Sequence, residues 1–330
     1  MKFISWKRIK NQLKRLICIC RISYHINAVY GLFLFKLFVK EKFNCVSPVD
    51  YEEKHIRVKS YLHQLFDKHL EQIAAESIYS LNELACTEYD GSIWIYWDNL
   101  DAMPAIVERC IESIRKYSNG IKVILVSEAA IHKYVKIEPY IIEKYYRGKI
   151  SRTHFSDIIR MSLLFRYGGI WMDATIFQTR PMPQNIVDND FFTLRLDIEE
   201  QWQVVSHGQW CVFFIECKKG NLLIRETLAM MNMYWKTHNL LFDYLWIDYL
   251  WAIVSEKVPA IKKMLDEVPK SNPQLFSLTE LEYVCSEKEF RSKIGHSDTM
   301  FYKMSYKSTI GVPIKDKENR FTLFGWIMNS

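Results

Sequence analysis

The stretch Thr153-His-Phe-Ser-Asp-Ile-Ile-Arg160, continuing through Tyr167 to Gly168-Gly-Ile-Trp-Met-Asp-Ala-Thr175, is the densest run of chemistry-bearing residues in the chain. Asp157 and Arg160 are three apart, hence on one helical face, while Ile158, Met161 and Phe165 point elsewhere. Gly168 and Gly169 end that helix and permit a tight turn into the apolar strand Ile170-Trp171-Met172. Asp173 then stands at the carboxyl end of the strand, the edge at which open α/β sheets bind ligands. With the hydroxyl of Thr175 two positions on, it can turn oxygens toward a hard divalent cation. Each feature also has a plainer reading. An i,i+3 ion pair on a surface helix contributes only about 0.2 to 0.5 kcal/mol, and an aspartate after a strand equally serves as a turn or helix cap.

Two further carboxylates, Asp243 and Asp248 in Phe242-Asp-Tyr-Leu-Trp-Ile-Asp248, fall in a very apolar helical stretch where an unpaired charge is costly. Asp248 is the one expected to face a site. His154, a single histidine before a helix, reads as a cap or core contact. Most of the aromatic residues, Trp171 and Trp246 among them, read as core.

The elements that must position these groups follow from periodicity. Apolar positions recur at helical spacing from Tyr51 to about Leu84. Ser92 to Trp97 has the pattern of a strand, Asp98 to Asp101 that of a turn, and Pro104 suits a first helical position before Ile106 to Ile114. A β-rich run, Lys122 to Val126, leads to a helical stretch ending near Lys149 and then to the helix from near Ser156 to Phe165. Strand, helix, strand, helix predicts an α/β domain built on a parallel sheet. Further β-like runs occupy Phe191 to Leu196 and Trp210 to Ile215, Leu222 to Met264 is mainly helical, and Met300 to Trp326 is mixed.

At 330 residues, 49% hydrophobic and 25% charged, with only 11 Gly and 9 Pro, the chain has a folded composition without repeats or low-complexity stretches. The net charge of +6 is unevenly placed. Residues 1–42 hold ten of the 44 basic residues and one of the 38 acidic ones, which leaves 34 basic against 37 acidic, or −3, for the body. A body of that charge gives no footprint for nucleic acid. The eight cysteines show no CxxC and no zinc-like spacing, so they read as reduced, mostly buried thiols.

Only fourteen uncharged residues separate Arg21 from Lys36, too few for a spanning helix of about 20. Basic residues interleaved with Phe3, Ile4, Trp6, Ile9, Leu13, Leu16 and Ile17, followed by the apolar Tyr30 to Phe38, suit a membrane interface. Each Lys or Arg near an anionic leaflet contributes on the order of 1 kcal/mol. The alternative is a pair of helices docked on the body with their basic face solvated. The expected organisation is a basic amphipathic membrane-surface segment over 1–50, a helical extension over 51–88 and one domain over 89–330, in a cytoplasmic protein attached peripherally to the inner face of the membrane through residues 1–42.

Gly168-Gly-Ile-Trp-Met-Asp-Ala-Thr175 resembles the GGxWxDxT element of the capsular polysaccharide synthesis glycosyltransferases. That group is similar to sugar-transferring enzymes with a DXD motif, including the clostridial glucosylating toxins and yeast initiating mannosyltransferases. Ile93-Trp-Ile-Tyr-Trp97, Met103-Pro-Ala-Ile-Val107, Cys110-Ile-Glu-Ser113, Tyr140-Ile-Ile-Glu-Lys144, His154-Phe-Ser-Asp157 and Tyr302-Lys-Met-Ser-Tyr-Lys307 look like family blocks in the family order. The resemblance covers roughly residues 90 to 310, and 138 to 183 is its specific part.

The resemblance implies a GT-A (Rossmann-like) domain that transfers a sugar, a hexose in a retaining reaction by the family's habit, from a nucleoside diphosphate sugar to a glycan acceptor hydroxyl. Mn2+ or Mg2+ would bridge the diphosphate. By similarity Trp94 would stack on the nucleobase, Asp157 and Arg160 would hold the donor sugar, Gly169 would lie against the donor, and Asp173 would serve ribose and metal. The departure from the family pattern is that Asp173-Ala174-Thr175 offers one carboxylate where a full DXD offers two. Another residue must then complete the shell. His296 is the expected additional ligand, and Asp298, Lys303 and Lys307 are candidates to close over the diphosphate. The acceptor is expected to be a glycan, lipid-linked if the basic segment rests on a bilayer. A membrane-attached but catalytically silent module binding a sugar nucleotide or glycan is the rival reading.

Overall fold

The computed structural model describes residues 6–76, 91–187, 189–196, 201–296 and 298–330. Three helices come first, α1 (Trp6–His25), α2 (Ala28–Lys42) and α3 (Pro48–Glu76). An alternating region follows with β1 (Ile93–Tyr96), α4 (Ala105–Tyr117), β2 (Val123–Val126), α5 (Pro139–Tyr146), α6 (Arg152–Tyr167), β3 (Gly169–Met172) and β4 (Ile176–Gln178). Next come α7 (Gln184–Val187), β5 (Phe191–Thr193), β6 (Phe214–Cys217), α8 (Leu222–Thr237), α9 (Trp246–Lys257) and α10 (Pro259–Asp266). The chain closes with α11 (Glu287–Ile294), β7 (Phe301–Lys303) and α12 (Leu323–Asn329).

The main sheet has the order β2-β1-β3-β6-β5, and a second, two-stranded sheet pairs β4 with β7. Strands β2, β1 and β3 are parallel, because α4 and the α5–α6 pair each carry the chain back before the next strand starts. The expectation of a parallel sheet holds for these three alone. Strand β6 runs antiparallel to β3, from Gly169↔Cys217 to Met172↔Phe214, and β5 runs antiparallel to β6. Among the described residues between β3 and β6 the only helix is the four-residue α7, too short to serve as a crossover. The strand expected at Trp210 to Ile215 begins only at Phe214, and Thr193 Oγ1 instead bonds both the amide and the carbonyl of Cys211. Strands β1, β3, β5 and β6 are buried along their whole length, which is why β1 and β3 read as continuous apolar runs, while β5 and β6 bury Thr193 and Glu216 among apolar neighbours.

Helix α6 leads directly into β3 through the double glycine. Ser151 caps its start by accepting from the His154 amide, and Gly168 (φ 67°) and Gly169 (φ 88°) both lie in the left-handed region. The space is as restrictive as the dihedrals. A Cβ on Gly169 would stand 2.4 Å from the Ser92 carbonyl oxygen, and one on Gly168 would stand 2.5 Å from the Lys219 amide nitrogen. Gly169 is therefore a packing requirement at the amino end of β3. Asp173 lies beyond the other end of that strand, so the expected contact of Gly169 with a donor is not what this position provides.

The N-terminal helices share the core of the sheet. Ile22, Tyr30, Phe33 and Leu37 of α1 and α2, with Val58, Leu62 and Phe66 of α3, join one continuous apolar cluster with the strands. Tyr30 stacks on Phe242 with ring centres 4.4 Å apart, and its hydroxyl donates to Asp243 Oδ2 at 3.2 Å. Lys54 pairs with the same carboxylate at 2.8 Å, so Asp243 is a structural anchor. Helix α1 meets α2 so closely at Gly31 that a Cβ there would lie 2.3 Å from Ser23 Cβ. The expected boundary at residues 88 and 89 falls outside the described residues. No described helix is long and apolar enough to cross a membrane. Cys110, Cys211, Cys217 and Cys285 are buried free thiols, whereas Cys18, Cys20 and Cys45 are exposed.

Gly169→Ala is expected to cost more than about 2 kcal/mol, from a positive φ and a backbone clash together. Gly311, also at positive φ but with nothing within 4 Å of a built Cβ, supplies the control. Thermal unfolding followed by circular dichroism should show a much lower midpoint for Gly169→Ala than for Gly311→Ala, and equal midpoints would contradict the packing account.

Candidate active site

Five of the residues chosen from sequence meet at the carboxyl end of β3. Arg160 Nη1 donates to Asp157 Oδ1 at 2.9 Å, and Arg160 Nη2 donates to Asp173 Oδ1 at 2.9 Å. The indole nitrogen of Trp171 donates to the same Oδ1 at 2.9 Å. On the other side Lys303 Nζ donates to Asp173 Oδ2 at 2.8 Å and to Thr175 Oγ1 at 2.7 Å. Carboxylate, guanidinium, carboxylate and ammonium thus form a continuous chain.

Each side chain is delivered by a definite element. Asp157 and Arg160 sit one turn apart on α6, and the guanidinium lies 4.9 Å from the Trp171 ring centre. The Asp173 amide donates to the Phe213 carbonyl at 2.9 Å and its carbonyl accepts from the Ile176 amide at 3.0 Å, which fixes the turn from β3 into β4. Lys303 comes from 130 residues further on. The antiparallel register of β4 and β7 pairs it with Ile176, and the Met304 amide donates to the Thr175 carbonyl at 2.8 Å.

Two of the four charges are buried, and Asp173 and Lys303 keep partial exposure. Arg160 is 5% exposed and Asp157 9%. Burial raises Asp157 above the ordinary carboxylate value against the pull of Arg160. Burial alone would raise Asp173 too, but Lys303 and Arg160 together overcome it and hold this carboxyl down at about 2. Asp248, at the start of α9, accepts from Trp210 Nε1 at 3.0 Å. Burial, only partly offset by that bond and reinforced by the charge of Asp157, pushes its carboxyl up to about 7. Tyr244, which sequence reasoning passed over, lies within the field of Asp157, Asp173 and Asp248 and is widely exposed.

Two sequence expectations, for Trp94 and His296, are corrected by position. Trp94 is fully buried, with its ring 5.3 Å from Tyr167 and 5.6 Å from Tyr134 and its Nε1 donating to the Gly168 carbonyl, so it has no face open to a nucleobase. Its neighbour at the carboxyl end of the strand, Trp97, is half-buried and meets Tyr306 edge-on at 5.6 Å. His296 is exposed and precedes the start of β7, whereas Lys303 and Asp173 lie at the other end of the β4–β7 pair. Its carbonyl accepts from Arg180, so the shell expected to include His296 is not assembled. Lys307 is exposed, four residues past Lys303, with its ammonium 5.7 Å from the Tyr306 ring centre. Asp298 is exposed on the His296 side of β7 and accepts from Thr299 Oγ1.

The donor set does not fit the divalent ion expected at Asp173 and Thr175. The gap between the Asp173 and Thr175 oxygens, where such an ion would bridge them, holds the Lys303 ammonium. The other carboxylate oxygen is already shared by Arg160 and Trp171. Two carboxylates facing a guanidinium and an ammonium leave no surplus negative charge, which a hard cation requires. Among the described residues, no group of three or more His, Cys, Asp or Glu is arranged to hold a metal ion.

Asp248 gives a pH signature. Its folded carboxyl holds its proton up to about 7 against 3.8 when unfolded, so the folded state binds more protons between these values. Stability conferred by the protonated form is complete below about pH 4 and is lost as pH rises through about 7. Asp248→Asn, which keeps an oxygen for Trp210, should melt above the parent at pH 8 and converge with it near pH 4. A gap that narrows as pH rises would contradict the assignment. Arg160→Met, by contrast, strands Asp157 and takes from Asp173 one of its two cations, and should cost roughly 3 kcal/mol or more in denaturant unfolding, while an unchanged stability would show the chain of charges to be incidental.

Among curated proteins, none matches this sequence. The solved structure named "PaToxG Glycosyltransferase" aligns with 84% of this chain and 97% of its own, at 14% identity and a TM-score of 0.35, a loose likeness. The family described as capsular polysaccharide synthesis protein matches residues 42–321, most of the length and the whole of the charged chain from Asp157 to Lys303. The protein belongs to the capsular polysaccharide synthesis protein family.

Proposed function

We propose that the protein is a glycosyltransferase of GT-A type that moves a sugar from a nucleoside diphosphate sugar to the hydroxyl of a glycan acceptor in surface polysaccharide synthesis. The observation that carries this reading is the chain Asp157–Arg160–Asp173–Lys303 at the carboxyl end of a parallel strand. Such an edge is where nucleotide ligands enter α/β sheets, and the chain offers both acceptors for sugar hydroxyls and donors for phosphate oxygens. Membership of a polysaccharide synthesis family supports the same substrate class.

In this reading the nucleobase lies against Trp97 and Tyr306, Asp157 and Arg160 bind hydroxyls of the donor sugar, and Lys303 meets the diphosphate. During transfer the bond from the anomeric carbon to the diphosphate breaks, and its electron pair stays on the phosphate oxygen. The acceptor oxygen forms the new bond to that carbon, and its proton passes to the departing phosphate oxygen. This route retains the anomeric configuration and needs no separate base. Asp248 faces the acceptor side and orients its hydroxyl. No step runs through Mn2+ or Mg2+.

Helices α1 and α2 favour a membrane-surface location. Leu13, Ile17 and Tyr24 on α1 and Leu32 and Phe35 on α2 are half or more exposed, beside the exposed cations Lys10, Lys14, Arg21 and Lys36. An open groove on α1 is lined by Leu13, Leu16, Ile17, Cys20, Arg21 and Tyr24. Apolar side chains flanked by lysine and arginine match an anionic bilayer surface, and such a position suits a lipid-linked acceptor. Deletion of residues 1–42 is a poor test, because Tyr30, Phe33 and Leu37 lie in the core.

Two outcomes are expected. A panel of nucleotide sugars assayed for free nucleoside diphosphate, with glycan acceptors from surface polysaccharide, should show turnover of one donor that falls at least about 100-fold in Asp173→Asn. Binding of a donor without turnover would establish the silent module instead. The double variant Leu13→Ser, Ile17→Ser should lose flotation with phosphatidylserine vesicles, and the parent should release from them as salt rises. Equal flotation of the two would remove the membrane role from this face.

A further inference from the structure

We propose that Lys303 is the resident cation of this site, carrying in its ammonium the charge stabilisation that a divalent ion would otherwise give to the leaving diphosphate. The inference rests on the glycosyl-transfer reading and makes that transfer independent of metal.

The placement is specific. Lys303 Nζ bridges Asp173 Oδ2 and Thr175 Oγ1 at 2.8 and 2.7 Å, the two oxygens that sequence alone offers to a metal. An ammonium has three protons, and these two acceptors take two of them. Its side chain is 20% exposed, so the third proton has a route to a ligand oxygen. Backbone and ring contacts both position the residue. The Lys303 amide donates to the Leu275 carbonyl at 2.8 Å, its register against β4 is set by Ile176, and the ammonium lies 4.9 Å from the Phe213 ring centre.

The sequence peculiarity of the site follows from the same arrangement. A second carboxylate at position 175 would be appropriate to a divalent ion, and a hydroxyl is appropriate to an ammonium, because it accepts a hydrogen bond without adding charge. Asp173, already paired with Arg160, then aims the lysine and does not ligate an ion. A fixed ammonium in a water-poor site meets charge that grows on the phosphate oxygen as the anomeric bond breaks, and it needs no reorganisation at that moment.

The test is binding of UDP, GDP, ADP and CDP to the full chain by calorimetry, each in EDTA and in Mn2+, for the parent, Lys303→Met and Lys303→Arg. Lys303→Met leaves Asp173 paired with Arg160, and a circular dichroism melt verifies that it folds. The expected result is a diphosphate that binds equally in EDTA and in Mn2+, binds about 30-fold more weakly to Lys303→Met, and retains most of its affinity for Lys303→Arg. Binding that requires Mn2+ would overturn the inference and leave the transferase reading standing. EDTA-resistant binding that Lys303→Met does not weaken would overturn it as well. Failure of all four diphosphates to bind in either condition would count against the transferase reading, and the inference would fall with it.

Discussion

One carboxylate organises the site. Asp173 receives a guanidinium from α6, an indole from its own strand and an ammonium from a segment 130 residues later, so three parts of the chain meet on two oxygen atoms. Arg160 and Asp157 are buried while Asp173 and Lys303 keep some exposure, and the two carboxylates are balanced by the two cations. Removing either cation upsets that balance, which makes the site a single electrostatic unit rather than four separate residues.

Much of the surrounding architecture is explained by the need to deliver those groups. The double glycine lets α6 turn straight into β3 with its backbone against Ser92, which brings Arg160 and Asp173 to the same end of the sheet. The β4–β7 pair, separate from the main sheet, fixes Lys303 opposite Ile176 and so beside Thr175. Asp248 completes the surroundings from α9, with Trp210 as its partner. Its proton is held to about 7 by burial and by the neighbouring charge of Asp157, which couples Asp248 to the chain of charges.

The parts legible in the sequence were those with local signals. The β1–α4–β2 alternation, the α6 face bearing Asp157 and Arg160, the glycine turn and the aspartate at the strand end all follow from spacing and turn chemistry. Long-range pairings left no local trace. Antiparallel β6 is as fully buried as its parallel neighbour β3, and strand composition carries no sign of direction. Strand β1 is buried on both faces, which removes the alternation that would have separated core Trp94 from Trp97 at the strand end. Lys303 was recognisable as a candidate for the diphosphate, but only the β4–β7 register puts its ammonium in the position given to a metal. His296 failed for the same reason, since seven residues of β7 and its approach set it at the opposite end of that pair.

The measurement that reaches the central claim most directly is hydrogen exchange by mass spectrometry on the full chain, with and without a mixture of UDP, GDP, ADP and CDP. If the chain from Asp157 to Lys303 is a nucleotide-sugar donor site, the ligand will slow exchange together in residues 152–176 and 300–306, two stretches joined through Asp173, Thr175 and the β4–β7 pair. Protection confined to other segments, or none at saturating diphosphate, would contradict it.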